Sequence, residues 1–159
     1  MKTCILFVLV LTCPALALAQ SDAICPWFTT GSAETMLGGE VTLTAHITGN
    51  WDGSCVFMRK TGTMVPTIEI LVGKTNTHPC PESSPHLGAL GNDAVQCRRA
   101  GSPSQARDII AGRVRDVYFL VSMAAGSADS QNSGGAHWPD SNPASLLERI
   151  AEQVTGNLY

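Results

Sequence analysis

Hydrophobic and polar positions alternate along several short segments of this chain, most regularly at residues 40–48. Within that segment Val41 and every second residue after it are apolar, and the residues between them are threonines and a histidine. An extended strand points successive side chains to opposite faces, so this period predicts a strand with one face in a hydrophobic core. Five further strands are predicted, at residues 54–60, 67–72, 93–98, 108–114 and 117–123.

Two helices are predicted, one before the first strand and one after the last. Thr29 can cap a helix over residues 30–37, which Gly38 and Gly39 then end. Asn142 and Pro143 begin a second helix, whose apolar residues recur at intervals of three and four. Its apolar positions are Leu147, Ile150, Ala151, Val154 and Leu158.

This order of elements predicts an α+β domain. The connections between strands are short enough for antiparallel neighbours, and the simplest way to bury both helical stripes is to place the two helices on one face of a single sheet of about six strands. The predicted domain covers residues 20–159. Residues 73–92 read as an extended loop, and residues 126–142 are rich in Gly, Ser, Asn and Asp without any period, so a mobile loop is expected there.

Residues 1–19 have the three successive regions of a secretory signal peptide, which are a charged start, an apolar run and a tail of small residues. Lys2 is followed by an apolar run at residues 5–11 and by a small-residue tail that contains Ala17 and Ala19. The run is well short of the roughly 20 residues that span a bilayer. We therefore expect cleavage between Ala19 and Gln20 and a secreted or periplasmic product without a transmembrane segment. A lipid-attachment site at Cys13 is the alternative, but the three residues before it fit that pattern poorly.

Cleavage there leaves the four cysteines Cys25, Cys55, Cys80 and Cys97. An even number in an exported chain of this size indicates two disulfides formed in an oxidising compartment. Three pairings are possible. Bonds from Cys25 to Cys55 and from Cys80 to Cys97 are favoured, because each would close one local supersecondary unit.

Charge and motifs exclude some functions and leave others open. The net charge of -3 provides no basic field for a phosphate backbone, so nucleic acid is not an expected partner. The chain contains no Gly-x-Ser-x-Gly nucleophile elbow. An enzyme would have to assemble its site from distant residues, for example from one of the histidines His46, His78, His86 and His137 with Asp52 or Asp140.

A metal site is not expected, and no cofactor is predicted. His78, Cys80, His86 and Cys97 are residue types that suit zinc, but cysteines bonded to each other supply no thiolate ligand.

Two tryptophans are the predicted binding residues. Trp51 lies in a polar hairpin turn, and Trp138 lies beside His137 in the 126–142 segment. Exposed aromatic residues in loops can contact a partner or a sugar. The alternative is that each folds back over its own core, as we expect of Trp27.

Three short motifs lie at residues 25–29, 53–57 and 90–94. Their sequences, Cys-Pro-Trp-Phe-Thr, Gly-Ser-Cys-Val-Phe and Leu-Gly-Asn-Asp-Ala, resemble segments of small exported bacterial domains of unknown function, many of them lipoproteins of actinobacteria. The resemblance implies an exported location and carries no established activity. It also implies the Cys25 to Cys55 bond, since that family couples a cysteine before the helix to one in the second strand.

The sequence thus predicts an exported, non-catalytic binding or interaction domain. Its partner would be an envelope protein or a small ligand. The alternatives are an enzyme with a site assembled from sequence-distant residues and a structural envelope protein.

Overall fold

The computed structural model describes residues 23–62, 65–76, 79–100, 106–124 and 142–159. The predicted signal peptide, its cleavage site at Ala19 and Gln20, and residues 126–141 of the predicted mobile loop lie outside these ranges. The elements in chain order are α1 (Thr30–Leu37), β1 (Val41–Gly49), β2 (Asp52–Arg59), β3 (Thr67–Gly73), β4 (Asn92–Arg99), β5 (Arg107–Val114), β6 (Val117–Ala124) and α2 (Pro143–Gly156).

The six strands form one sheet in the order β1-β2-β3-β6-β5-β4. Every pair of neighbours is antiparallel. The sheet consists of two three-stranded meanders, β1–β3 and β4–β6, joined by the pairing of β3 with β6. This confirms the predicted α+β fold and the central place of the strand at residues 117–123.

Helix α1 begins and ends at the residues that the sequence predicts. The Thr29 side chain accepts a hydrogen bond from the backbone N–H of Ser32 at 3.1 Å, which satisfies one of the free N–H groups of the first turn. Gly38 ends the helix in a left-handed conformation with φ 71°, which glycine adopts without a steric penalty. The helix packs on β1 and β2.

Helix α2 packs on β5 and β6. The Asn142 side chain caps it by accepting a hydrogen bond from the N–H of Ala144 at 3.1 Å, and Pro143 occupies its first turn. The helix ends at Gly156, so Leu158 is buried just beyond its last residue. Leu146 and Thr155 are buried in addition to the apolar positions predicted from the sequence.

Both helices cover the same side of the sheet, which we call the inner face. Phe57, Ile70, Ile110 and Val121 project from four strands into one hydrophobic cluster with the two helices, and none of these four side chains is exposed. Phe28, just before α1, packs edge-on against Phe57 with ring centroids 5.4 Å apart. The alternation that predicted the strands therefore identifies the side that is buried under the helices.

The opposite side, the outer face, carries a smaller cluster that the sequence analysis did not predict. The loop between β3 and β4, of which residues 74–76 and 79–91 are described and which we call the 74–91 loop, places Cys80 on this face against apolar side chains of β4, β5 and β6. Leu90, near the end of the loop, belongs to the inner cluster. The loop also pairs with β4, because the N–H of Leu87 donates to the Ala94 carbonyl at 2.8 Å. The core of this cluster is Cys80, Val95, Ile109, Ala111 and Leu120.

The two disulfides join Cys25 to Cys55 and Cys80 to Cys97, which is the pairing that the sequence favoured. The first attaches the segment before α1 to β2, where both sulfurs belong to the inner cluster. The second attaches the 74–91 loop to β4 in the outer cluster. Two disulfides are expected of a chain that folds in an oxidising extracellular compartment.

Removal of the second disulfide should destabilise the protein markedly. The bond closes a loop of 17 residues, for which the chain-entropy relation gives about 3 kcal/mol. We expect the double variant C80A/C97A to lose about that much free energy of unfolding in a urea titration. Non-reducing peptide mapping of the unmodified protein is the accompanying control, and a peptide that links Cys25 to Cys80 would contradict the structure.

Gly112 of β5 is a second position at which the packing predicts how a substitution changes the stability of the protein. A Cβ atom at Gly112 would lie 2.8 Å from Ala94 Cα and 3.0 Å from the Phe119 ring, and Gly112 is buried. Such overpacking costs about 1 to 3 kcal/mol. Gly112→Ala should lower the free energy of unfolding by that amount, whereas Gly31→Ala, in open space on α1, should leave it unchanged or raise it by up to about 1 kcal/mol. Equal effects of the two substitutions in urea unfolding would refute this packing.

Candidate functional site

A cleft with a volume of about 820 Å³ lies on the outer face at the end of the sheet that carries the β1–β2 turn. We call it the hairpin cleft. His46 of β1 and Ser54 of β2 face each other in the strand register and line one side. Lys74, just after β3, and Tyr118 of β6 line the other. The pairing of β3 with β6 places Tyr118 opposite Gly73, so residues from both meanders meet in this cleft.

The turn that closes the cleft depends on a close approach of β1 and β2. The register shifts between Ile47 and Gly49, and the Thr48 hydroxyl donates a hydrogen bond to the Asp52 carbonyl at 3.2 Å. Gly53 has φ 154°, and a Cβ atom there would lie 2.5 Å from the His46 carbonyl oxygen. Only glycine leaves room for this approach.

Trp51 lies at the tip of the β1–β2 hairpin with 40% of its surface exposed. It lines the hairpin cleft and also a second cleft of about 600 Å³, which lies beside Trp27 and Asn157. We call the second one the terminal cleft. Trp27 is only 1% exposed, as expected of a core residue, and its carbonyl accepts a hydrogen bond from the Asn157 side chain at 3.0 Å. Trp51 therefore presents a large accessible aromatic surface between two clefts.

Beneath the terminal cleft, the indole N–H of Trp27 is buried and has no hydrogen-bond partner among the described residues. Leaving such a donor unsatisfied costs about 1 to 3 kcal/mol. Burial of the Trp27 ring also contributes apolar contacts to the inner cluster, which includes Phe28 and Cys25.

A third cleft, of about 360 Å³, adjoins the hairpin cleft through Tyr118, which lines both. It lies between the 74–91 loop and the β4–β5 pair, and we call it the loop cleft. Arg113 donates a hydrogen bond to Asp93 at 3.0 Å and lies 6.0 Å from the centroid of the Tyr118 ring. His86 and Glu82 reach this cleft from the loop.

Charges at these clefts occur in both signs. Asp52 and Lys74 line the hairpin cleft, and Arg113 is paired with Asp93 in the loop cleft. Further along the outer face, the Arg107 guanidinium donates a hydrogen bond to the Glu69 carboxylate, and the Ser122 hydroxyl donates to the same oxygen at 3.3 Å. These charged groups of the outer face therefore form no field of a single sign that would select an anion or a cation.

The structure brings some of the predicted site residues together. His46 and Asp52 line the same cleft as Trp51, but no hydrogen bond or ion pair joins His46 to Asp52 in the part of the chain that the structure describes. His86 lies in the loop cleft. The remaining predicted residues His78, His137, Trp138 and Asp140 lie outside the described ranges.

Metal-ligating side chains do not cluster within the described residues, where no three of His, Cys, Asp and Glu are placed to hold an ion. Cys80 and Cys97, the cysteines of the residue set that suits zinc, are bonded to each other. In the same residues, no helix is long and apolar enough to cross a membrane.

Tyr118 and Lys74 are site residues that the sequence analysis missed. Tyr118 belongs to an apolar run, Tyr118 to Val121, in which the period of two is hidden because both faces of the strand are covered. The sequence feature that could have identified Tyr118 is its place beside Phe119, because neighbouring side chains of a strand must point to opposite faces. Lys74 follows β3 directly, and only the sheet order brings it to the hairpin cleft.

No protein-family model, no curated protein and no solved structure matches this chain.

Gly53 provides a test of the cleft's construction. Gly53→Ala should lower the free energy of unfolding by about 1 to 3 kcal/mol, because the new methyl group would meet the β1 backbone. Gly49→Ala, in the same hairpin, is the matched control, since a Cβ atom there meets nothing within 4 Å. Chemical denaturation of the two variants checks the prediction, and a Gly53 variant as stable as the Gly49 variant would show that the strands do not approach so closely.

Proposed function

We propose that this chain is an exported, non-catalytic binding domain that holds an uncharged oligosaccharide in the hairpin cleft. The observation that carries the proposal is Trp51, which is 40% exposed at the hairpin tip and lines clefts on both of its sides. Large aromatic side chains at exposed turns are otherwise uncommon, because their burial is favourable.

The chemistry around Trp51 favours a sugar. A pyranose presents an apolar C–H face that stacks on an indole ring and a rim of hydroxyl groups that both donate and accept hydrogen bonds. Within the same cleft, His46, Ser54 and Thr75 offer donors and acceptors of the matching kind. A cleft of about 820 Å³ has room for two or more sugar rings.

The charges around the hairpin cleft also favour an uncharged ligand. Asp52 and Lys74 carry opposite charges, so the cleft provides no net attraction for a phosphate, a nucleotide or a cationic peptide. A neutral polar ligand is therefore preferred to an ion.

An exported location fits this proposal. The two disulfides favour an oxidising compartment, and the signal-like residues 1–19 would direct the chain there. We place the protein in the periplasm or outside the cell, in agreement with its resemblance to exported bacterial domains related to actinobacterial lipoproteins. His137 and Trp138 remain predicted additional contacts.

Calorimetric titration with cellotetraose, chitotetraose and maltotetraose tests the proposal. We expect at least one of these sugars to bind and to raise the thermal unfolding midpoint of the protein. Trp51→Ala should weaken that binding by about two- to tenfold, since stacking on the indole contributes about 0.5 to 1.5 kcal/mol.

Tyr159→Ala is the matched control, because Tyr159 is an exposed aromatic residue, 67% accessible, that lines none of the three clefts. This variant should bind as the unmodified protein does. The proposal fails if none of the three sugars binds, or if Trp51→Ala folds normally and binds with unchanged affinity.

A further inference from the structure

The two edge strands of the sheet are protected to very different degrees. β4 carries Asp93, Arg98 and Arg99, its register is interrupted after Asn92, and the 74–91 loop hydrogen-bonds to its outward side. These are the usual devices that prevent an edge strand from pairing with another chain. β1, the other edge, has fewer of them. Val41–Gly49 contains no charged residue and no proline, no described segment hydrogen-bonds to its outward side, and its register irregularity is confined to its last residues, between Ile47 and Gly49.

The hydrogen-bond pattern identifies which groups of β1 face outward. The N–H of Lys60 donates to the carbonyl of Glu40 at 2.8 Å, and the register pairs Val41 with Arg59. Because the two sides of an antiparallel strand alternate, the even-numbered residues direct their backbone groups to β2. The N–H and C=O groups of Leu43, Ala45 and Ile47 therefore point away from the sheet, and no segment among the described residues pairs with them.

The side chains of β1 are self-complementary about Ala45. If β1 pairs antiparallel with β1 of a second copy around a two-fold axis at Ala45, Leu43 of each copy lies opposite Ile47 of the other. Apolar side chains then meet on the inner face, and Ile47, 40% exposed in the single chain, becomes covered. On the outer face Thr44 lies opposite His46 of the second copy. No like charges meet, which would otherwise oppose pairing.

We propose that β1 is a self-association edge through which two copies of this chain join their six-stranded sheets into one continuous sheet. The paired residues Leu43, Ala45 and Ile47 would exchange about six backbone hydrogen bonds across the axis. The edge of a single strand gives a smaller contact than a standard protein interface, so the association is expected to be weak and dependent on concentration. The proposal goes beyond the proposed sugar binding and does not rest on it.

Two double variants of exposed residues test this pairing and its register. T44K/H46K places lysine opposite lysine at both symmetric positions, whereas T44E/H46K places glutamate opposite lysine at the same positions. We expect sedimentation velocity between about 10 μM and about 1 mM to show reversible dimers of the unmodified protein. T44K/H46K should associate about tenfold more weakly, and T44E/H46K should retain the dimer.

Hydrogen exchange of the backbone amides supplies a second measurement. The N–H groups of Leu43, Ala45 and Ile47 should exchange more slowly as the protein concentration rises, while that of Tyr159 should not change. Trp51→Ala should dimerise normally, which separates this proposal from sugar binding.

Three outcomes would overturn the proposal. The first is a monomer at every concentration. The second is loss of the dimer in T44E/H46K as much as in T44K/H46K, which would place the axis elsewhere or the interface on another surface. The third is protection of the three amides that does not depend on concentration, which would mean that another segment of the same chain covers the edge.

Discussion

The hydrogen-bonded ladder between β3 and β6 is the interaction on which the remaining structure depends. Among the described residues it is the only strand pairing between the two meanders, and its seven residue pairs run from Thr67 with Ala124 to Gly73 with Tyr118. A slip of one residue would turn Phe119 to the outer face and Tyr118 into the inner cluster, because side chains alternate along a strand. The burial of Ile70 and Val121 against the helices fixes this register. The same register brings Tyr118 to the hairpin cleft.

The two faces of the sheet are covered by different means, and this difference determines where a ligand has access. Helices cover the inner face, while a loop held by the Cys80–Cys97 bond covers the outer face of β4, β5 and β6. Each disulfide joins a segment without a helix or strand of its own to the sheet, which reduces the conformational entropy that such a segment loses on folding. The loop does not contribute to the apolar covering of β1 and β2, whose outer side chains include Thr42, Thr44 and His46. The outer face of β1 therefore stays accessible to a ligand beside the hairpin that carries Trp51.

An exposed edge and an exposed cleft meet at β1. His46 lines the cleft through its side chain, whereas the outward backbone groups belong to Leu43, Ala45 and Ile47. A ligand on the outer face and a second copy at the edge would thus use different atoms of one strand. The alternation of an antiparallel strand makes this separation possible, since side chains and backbone groups project in perpendicular directions.

Local interactions in the sequence determined α1 with its caps, the start of α2 and the β1–β2 hairpin, because each depends on residues that are close along the chain. The alternation in β1 and β3 also identified their inner faces. Only the tertiary structure decided the strand order and the second cluster under the 74–91 loop, since the continuous apolar run at Tyr118 to Val121 fits burial on either face. Trp51 was identified from its turn, but only the tertiary structure shows that it is exposed. The meeting of Tyr118 and Lys74 beside it depends on the β3–β6 register, which pairs Gly73 with Tyr118, about 45 residues later in the chain, and no local pattern specifies that register.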